Sequence, residues 1–155
     1  MTTAATIRSY GRIDDTTAAR IADRWNTAYP TMRTIATARI NGYRRQIEDR
    51  AWEIDPTHPH AEVLRAYTPT EAQLRHRLKN TETLRLKLGQ LDRGTHRACT
   101  QSPGGFTVLA AYTAVRAFLS HTSVNDHGLA AVYELAAVLA DAAEARHREL
   151  AQQTA

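Results

Sequence analysis

The sequence predicts an all-α protein: a single helical bundle of five or six helices over residues 14–155, behind a short basic arm at residues 1–13. Three observations predict it. Apolar residues recur every three or four positions through most of the chain, and no stretch shows the period of two that marks a strand. Residues 104–120 hold one charged side chain, Arg116, between neighbours rich in charge. A helix apolar on nearly all sides must be buried on most of them, so 104–120 is expected as the central helix, with Leu109 and Phe118 in its core. Thr107, Tyr112, Thr113 and Arg116 make it too polar for a bilayer, and a span takes about 20 apolar residues.

Each element has its own signal. Asp14 and Asp15 offer an N-cap to a first helix, where Ala18, Ile21, Ala22, Trp25 and Ala28 share a face. Pro30 is expected to end or kink it, because proline lacks the N–H and crowds the preceding turn. A second helix, about 31–54, follows from the stripe Ala36, Ile40, Tyr43, Ile47, Ala51, Ile54. Two prolines within 55–60 make a connector, and a short helix at 61–67 comes next. Thr68, Pro69 and Glu71 then read as N-cap, N1 and N3 of a capping box. The helix it opens turns Leu74, Leu78, Leu84, Leu88 and Leu91 toward the core and runs to about Arg93, with Gly94 as the stop. Ser102-Pro103 reads as the cap of the central helix. The last helix, about 126–151, keeps near-heptad spacing through Leu129, Val132, Ala136, Leu139, Ala143 and Leu150.

With 155 residues, one domain can bury roughly 68–70% of its extended-chain surface. The single cysteine, Cys99, rules out an internal disulfide and fits a reducing compartment. No basic segment followed by an apolar one opens the sequence, so a cytoplasmic protein without membrane contact is expected. Residues 1–100 carry 17 Lys and Arg against 11 Asp and Glu, while residues 101–155 carry 3 against 5. A basic portion joined to a mildly acidic one suggests a polyanion on one side and a different partner on the other.

The candidate site for a polyanion is the helix after Pro69. Arg75, Lys79 and Arg93 fall within about 40° on its wheel, away from the leucines. Arg97 would extend the strip if the helix passed Gly94. Such a strip follows an RNA or DNA phosphate backbone, each contact contributing through counterion release; Glu82 on the same strip is what a merely solvated face would carry. Arg44 and Arg45 add a second basic pair, beside a Tyr43 that belongs to the apolar stripe. Trp52 points nearly opposite that stripe, where it either packs under a neighbouring helix of the bundle or anchors a protein contact. Leu135 and Val138 lie off the strip formed by Leu129, Val132 and Leu139, so the last helix is expected to meet other subunits, copies of itself included.

Chemistry has no comparable signal. His58, His60 and Glu62 make half of a metal site and His96 with Cys99 another half, but zinc takes three or four convergent ligands and nothing joins the halves. No neighbour marks Cys99 as a nucleophile, and His127, Tyr133 and Glu134 fall on different helix faces. Pro103-Gly104-Gly105 lacks the strand and lysine of a phosphate loop. The reading is a non-enzyme with no cofactor and no metal.

In size, basic character and helical pattern the whole chain resembles the small subunits of multi-subunit CRISPR effector complexes, with the strip Arg75, Lys79, Arg93 and the pair Arg44-Arg45 as the residues that carry the likeness. The resemblance implies a helical-bundle subunit that stacks along guide-RNA-binding subunits and helps hold nucleic acid by a basic surface. It includes no diagnostic motif and assigns no residue role. Two other classes stay open: a helical adaptor with no nucleic-acid contact, and a stand-alone DNA-binding regulator, although no helix–turn–helix spacing is present.

Overall fold

A computed structural model describes residues 14–93, 107–121 and 126–154. They are all-α, with helices α1 (Asp15–Glu48), α2 (Ala61–Tyr67), α3 (Glu71–Asp92), α4 (Val108–Ser120) and α5 (Leu129–Thr154) and no strand among the described residues. The basic arm, Gly94, His96, Arg97, Cys99 and the Ser102-Pro103 cap lie outside them, as does the side chain of Leu150.

The first helix starts where its cap was expected. Asp14 Oδ1 accepts a hydrogen bond from the Thr17 backbone N–H at 2.7 Å, and that bond holds the Asp14 carboxyl below its usual range. It does not end at Pro30, however; α1 runs 34 residues with Pro30 inside it. The reason is a stripe with no break. Met32, fully buried, joins the two expected apolar runs into one series, Ala28, Met32, Ala36, Ile40. Packing on both sides of an exposed Pro30 outweighs the lost hydrogen bond and the ring clash of a proline in a helix interior, together about 3 kcal/mol.

The far end of α1 is also corrected, from Ile54 back to Glu48. Ala51 N–H bonds to Gln46 C=O at 2.9 Å and Arg50 N–H to Ile47 C=O at 3.1 Å. Arg50 sits between them at φ 51°, in the left-handed region. This is a Schellman end with arginine in the place usually held by glycine.

The capping box before α3 exists two residues later than expected. Thr70 Oγ1 accepts from Gln73 N–H at 3.1 Å, and Gln73 Oε1 accepts from Thr70 N–H at 3.0 Å. Thr68, at φ −95° and ψ 127°, is the extended residue that a following proline enforces. At the start of α4 the cap is Thr107, whose hydroxyl accepts from Ala110 N–H at 3.2 Å.

The chain divides into two compact units. One is Ala36–Arg85; the other, here the terminal unit, gathers the described residues before and after it. In the terminal unit α4 packs on α5. Trp25, Met32, Leu88, Leu91, Phe118 and Leu139 are fully buried there. Leu109 is not: it is 69% exposed, on the outward side of a helix whose Val108, Ala111, Val115 and Phe118 face in. Leu135 is corrected in the opposite sense. It is fully buried within the chain and so is no subunit contact, while Val138 is half-buried.

The core of the 36–85 unit is thin. Ala36, Ile40, Ala61 and Leu74 are buried, and Tyr43, Ile47, Leu78 and Leu84 are half-buried. Its two long segments run antiparallel, since Arg85 Nη1 donates to Thr37 Oγ1 at 3.4 Å and Arg44 pairs with Glu82 at 3.8 Å.

Candidate nucleic-acid interface

Side chains 75, 79, 82 and 86 stand on the outer face of α3, opposite Leu74 and Leu88. Arg75 donates from Nε and Nη2 to Glu71 Oε1 at 3.1 and 3.0 Å, an exposed pair one turn apart. Lys79, exposed, makes no ion pair among the described residues. Glu82 follows three residues later and takes Arg44 from α1. The 36–85 unit therefore brings Arg44, Arg75 and Lys79 to one side. Arg45, its neighbour on α1, is exposed as well.

Arg93 lies in the terminal unit, one residue past the end of α3. A Cβ built on Gly89 would be 3.3 Å from Arg93 Nη1 and 3.6 Å from the Tyr29 hydroxyl, so the guanidinium folds back over that glycine toward Tyr29. Burial raises the Tyr29 pKa above its ordinary value and the Asp92 carboxylate adds to this; Arg33 and Arg93 oppose it.

Folding also redistributes the charge. The 36–85 unit holds nine Lys and Arg against seven Asp and Glu, leaving eleven against nine for the rest of the chain, so each part is +2. The +6 and −2 split along the sequence is therefore not a split between the two units. Local geometry, with Glu71 and Glu82 set among the cations, governs what the face can hold.

Trp52 is half-buried in the turn after α1, not on a helix. His58 Nδ1 accepts from the His60 N–H at 3.0 Å, and the two rings lie 5.9 Å apart. Among the described residues no three His, Cys, Asp or Glu side chains gather where they could hold a metal ion. Glu134 is engaged with Arg24 at 3.4 Å. No helix of the described residues is long and apolar enough to cross a membrane.

One group of surface residues was missed in the sequence. Val63, Leu64 and Tyr67 of α2 stand in solvent. Their signal was present in Ala-Glu-Val-Leu-Arg-Ala-Tyr, whose apolar positions exceed what one short helix between prolines can bury. No protein-family model, curated protein or solved structure matches the chain.

Proposed function

We propose that this protein is a non-catalytic structural subunit of a nucleic-acid-containing assembly, and that its 36–85 unit contacts a phosphate backbone without reading sequence. The observation that carries the reading is the Arg44–Glu82 pair, which sets an arginine of α1 beside the α3 face bearing Arg75 and Lys79. Exposed cations on two antiparallel segments suit a backbone whose charges recur along its length. Contacts of this kind position a polyanion and carry no direct sequence information. An assembly like the CRISPR effectors, whose small subunits the chain resembles, is the proposed setting.

A second reading, a helical adaptor with no nucleic-acid contact, is favoured by Glu71 and Glu82. They occupy two of the three cations through Arg75 and Arg44. Fluorescence anisotropy with labelled single-stranded RNA and with duplex DNA separates the two. The nucleic-acid reading expects binding that is tolerant of sequence and that weakens when Arg44, Arg75 and Lys79 are changed to Gln. The adaptor reading expects none at physiological salt.

A further inference from the structure

We propose that Glu71 is a built-in competitor at the phosphate contact put forward above, on which this proposal rests. In the free protein its carboxylate fills the donor fork of Arg75, and a nucleic-acid backbone binds there by taking its place. Arg75 Nε and Nη2 form one edge of the guanidinium, and both donate to Glu71 Oε1, at 3.1 and 3.0 Å. That edge is the fork that recognises a phosphate as well as a carboxylate. A phosphate that approached the other end of the guanidinium would still sit beside the Glu71 carboxylate, like charge against like. The other two cations are placed differently. Arg44 Nη2 lies 3.8 Å from Glu82 Oε1, too far for a hydrogen bond, and Lys79 is exposed without an ion pair among the described residues. Both can take a phosphate with the carboxylates where they are. Arg75 cannot do so through its fork.

The helix holds Glu71 in place and also makes its release cheap. Glu71 opens α3 and lies in its first turn, four residues before Arg75, the acid-before-base order that favours such a pair on a helix. Once displaced, the carboxylate still sits at the positive end of the helix dipole, so the exchange strands no charge. Arg75 is 60% exposed and Glu71 49%. An exposed pair of this kind shifts an equilibrium by at most about fivefold. That weakens binding without blocking it. A backbone already held at Lys79 and Arg44 presents its next phosphate to Arg75 at high local concentration and displaces Glu71 readily. A free anion has no such advantage, so the competitor favours a polyanion over a single phosphate.

The experiment is a double-mutant cycle on the full chain, read by fluorescence anisotropy with labelled single-stranded RNA at low salt. The four proteins are wild type, Glu71→Gln, Arg75→Gln and the double variant. Glu71→Gln should bind about two- to fivefold tighter than wild type, and Arg75→Gln more weakly. With Arg75→Gln already present, Glu71→Gln should change affinity by less than about 1.5-fold, because the pair it would break is gone. Helix content by circular dichroism should be the same in all four. Glu71→Ala, with the better helix former, gives the same reading if the Gln variant loses helix. Equal or weaker binding by Glu71→Gln would overturn the proposal. So would an equal gain in the Arg75→Gln background, which would assign the effect to net charge. The two readings fail separately. If the variant with Gln at 44, 75 and 79 binds as wild type does, the phosphate contact falls and the competitor with it. If that variant is weakened and Glu71→Gln brings no gain, only the competitor falls.

Discussion

The indole N–H of Trp25 donates to Asp92 Oδ1 at 2.9 Å, across 67 residues of sequence. Trp25 has no exposed surface, and its ring stacks on Tyr29 with centroids 5.7 Å apart and planes 11° apart. The bond ties the start of α1 to the end of α3. A buried donor left without its acceptor costs about 1–3 kcal/mol. Asp92→Ala should lower stability by about that amount in urea denaturation, and Asp92→Asn, which keeps a carbonyl oxygen, by clearly less. Equal stability of all three proteins would remove this bond from the list of forces that hold the terminal unit together.

Tyr29 links the same cluster to pH. Its pKa is raised in the folded chain, so the native state holds the phenolic proton more tightly than the unfolded one does. Its contribution is fully present below the ordinary tyrosine value of about 10 and is lost as pH rises through the higher folded value. The melting temperature should fall above about pH 10, and Tyr29→Phe should flatten that fall while leaving the neutral-pH slope unchanged. An identical alkaline limb in the variant would assign it to other groups.

Gly128 precedes α5 at φ +80°, and a Cβ there would meet Thr31 Cγ2 at 2.9 Å. Gly128→Ala therefore carries two penalties, a left-handed backbone worth about 1–2 kcal/mol and a steric clash. Thr31→Ala in the same chain should relieve the clash alone, restoring part of the lost stability. Full restoration by Thr31→Ala would show that the backbone term is absent.

Phe118 and Leu109 separate what the pattern showed from what it concealed. Both looked like core, yet Phe118 is fully buried and Leu109 is 69% exposed. Phe118→Asp should abolish soluble expression, because an unpaired buried charge costs several kcal/mol against a total stability of about 5–15. Leu109→Asp should express and melt near wild type. Insoluble Leu109→Asp protein would mean that the outward face of α4 is covered.

The all-α class and most of the core were legible because spacing by three and four survives any tertiary arrangement. Ala18, Ile21, Trp25, Leu74, Leu88 and Leu91 all face inward as their spacing implied. Errors came where local chemistry permits two answers. Pro30 was expected to end or kink the helix and does not end it, because Met32 keeps the stripe continuous through it. The helix end at Glu48 was hidden because Arg50, not glycine, takes the left-handed position. Thr68 and Thr70 both precede an acceptor at the right distance, and only Thr70 closes the box, with Gln73. The strip of Arg75, Lys79 and Arg93 was read from one helix wheel; Arg75 and Lys79 fall in the 36–85 unit, where Arg44 of α1 pairs with Glu82, and Arg93 falls in the other unit.

The most direct measurement is the salt dependence of binding to single-stranded RNA, for wild type and for the variant with Gln at 44, 75 and 79. Each phosphate contact on a single strand contributes a slope of roughly −0.7 to the logarithm of affinity against the logarithm of salt. If those three cations each engage a phosphate, the variant should bind more weakly at every sequence tested and its slope should be shallower by about 2. The three side chains are exposed or lie in exposed ion pairs worth at most about 1 kcal/mol, so helix content should not change. The same affinity and slope in both proteins, or no binding by either at 50 mM salt, would contradict the phosphate contact.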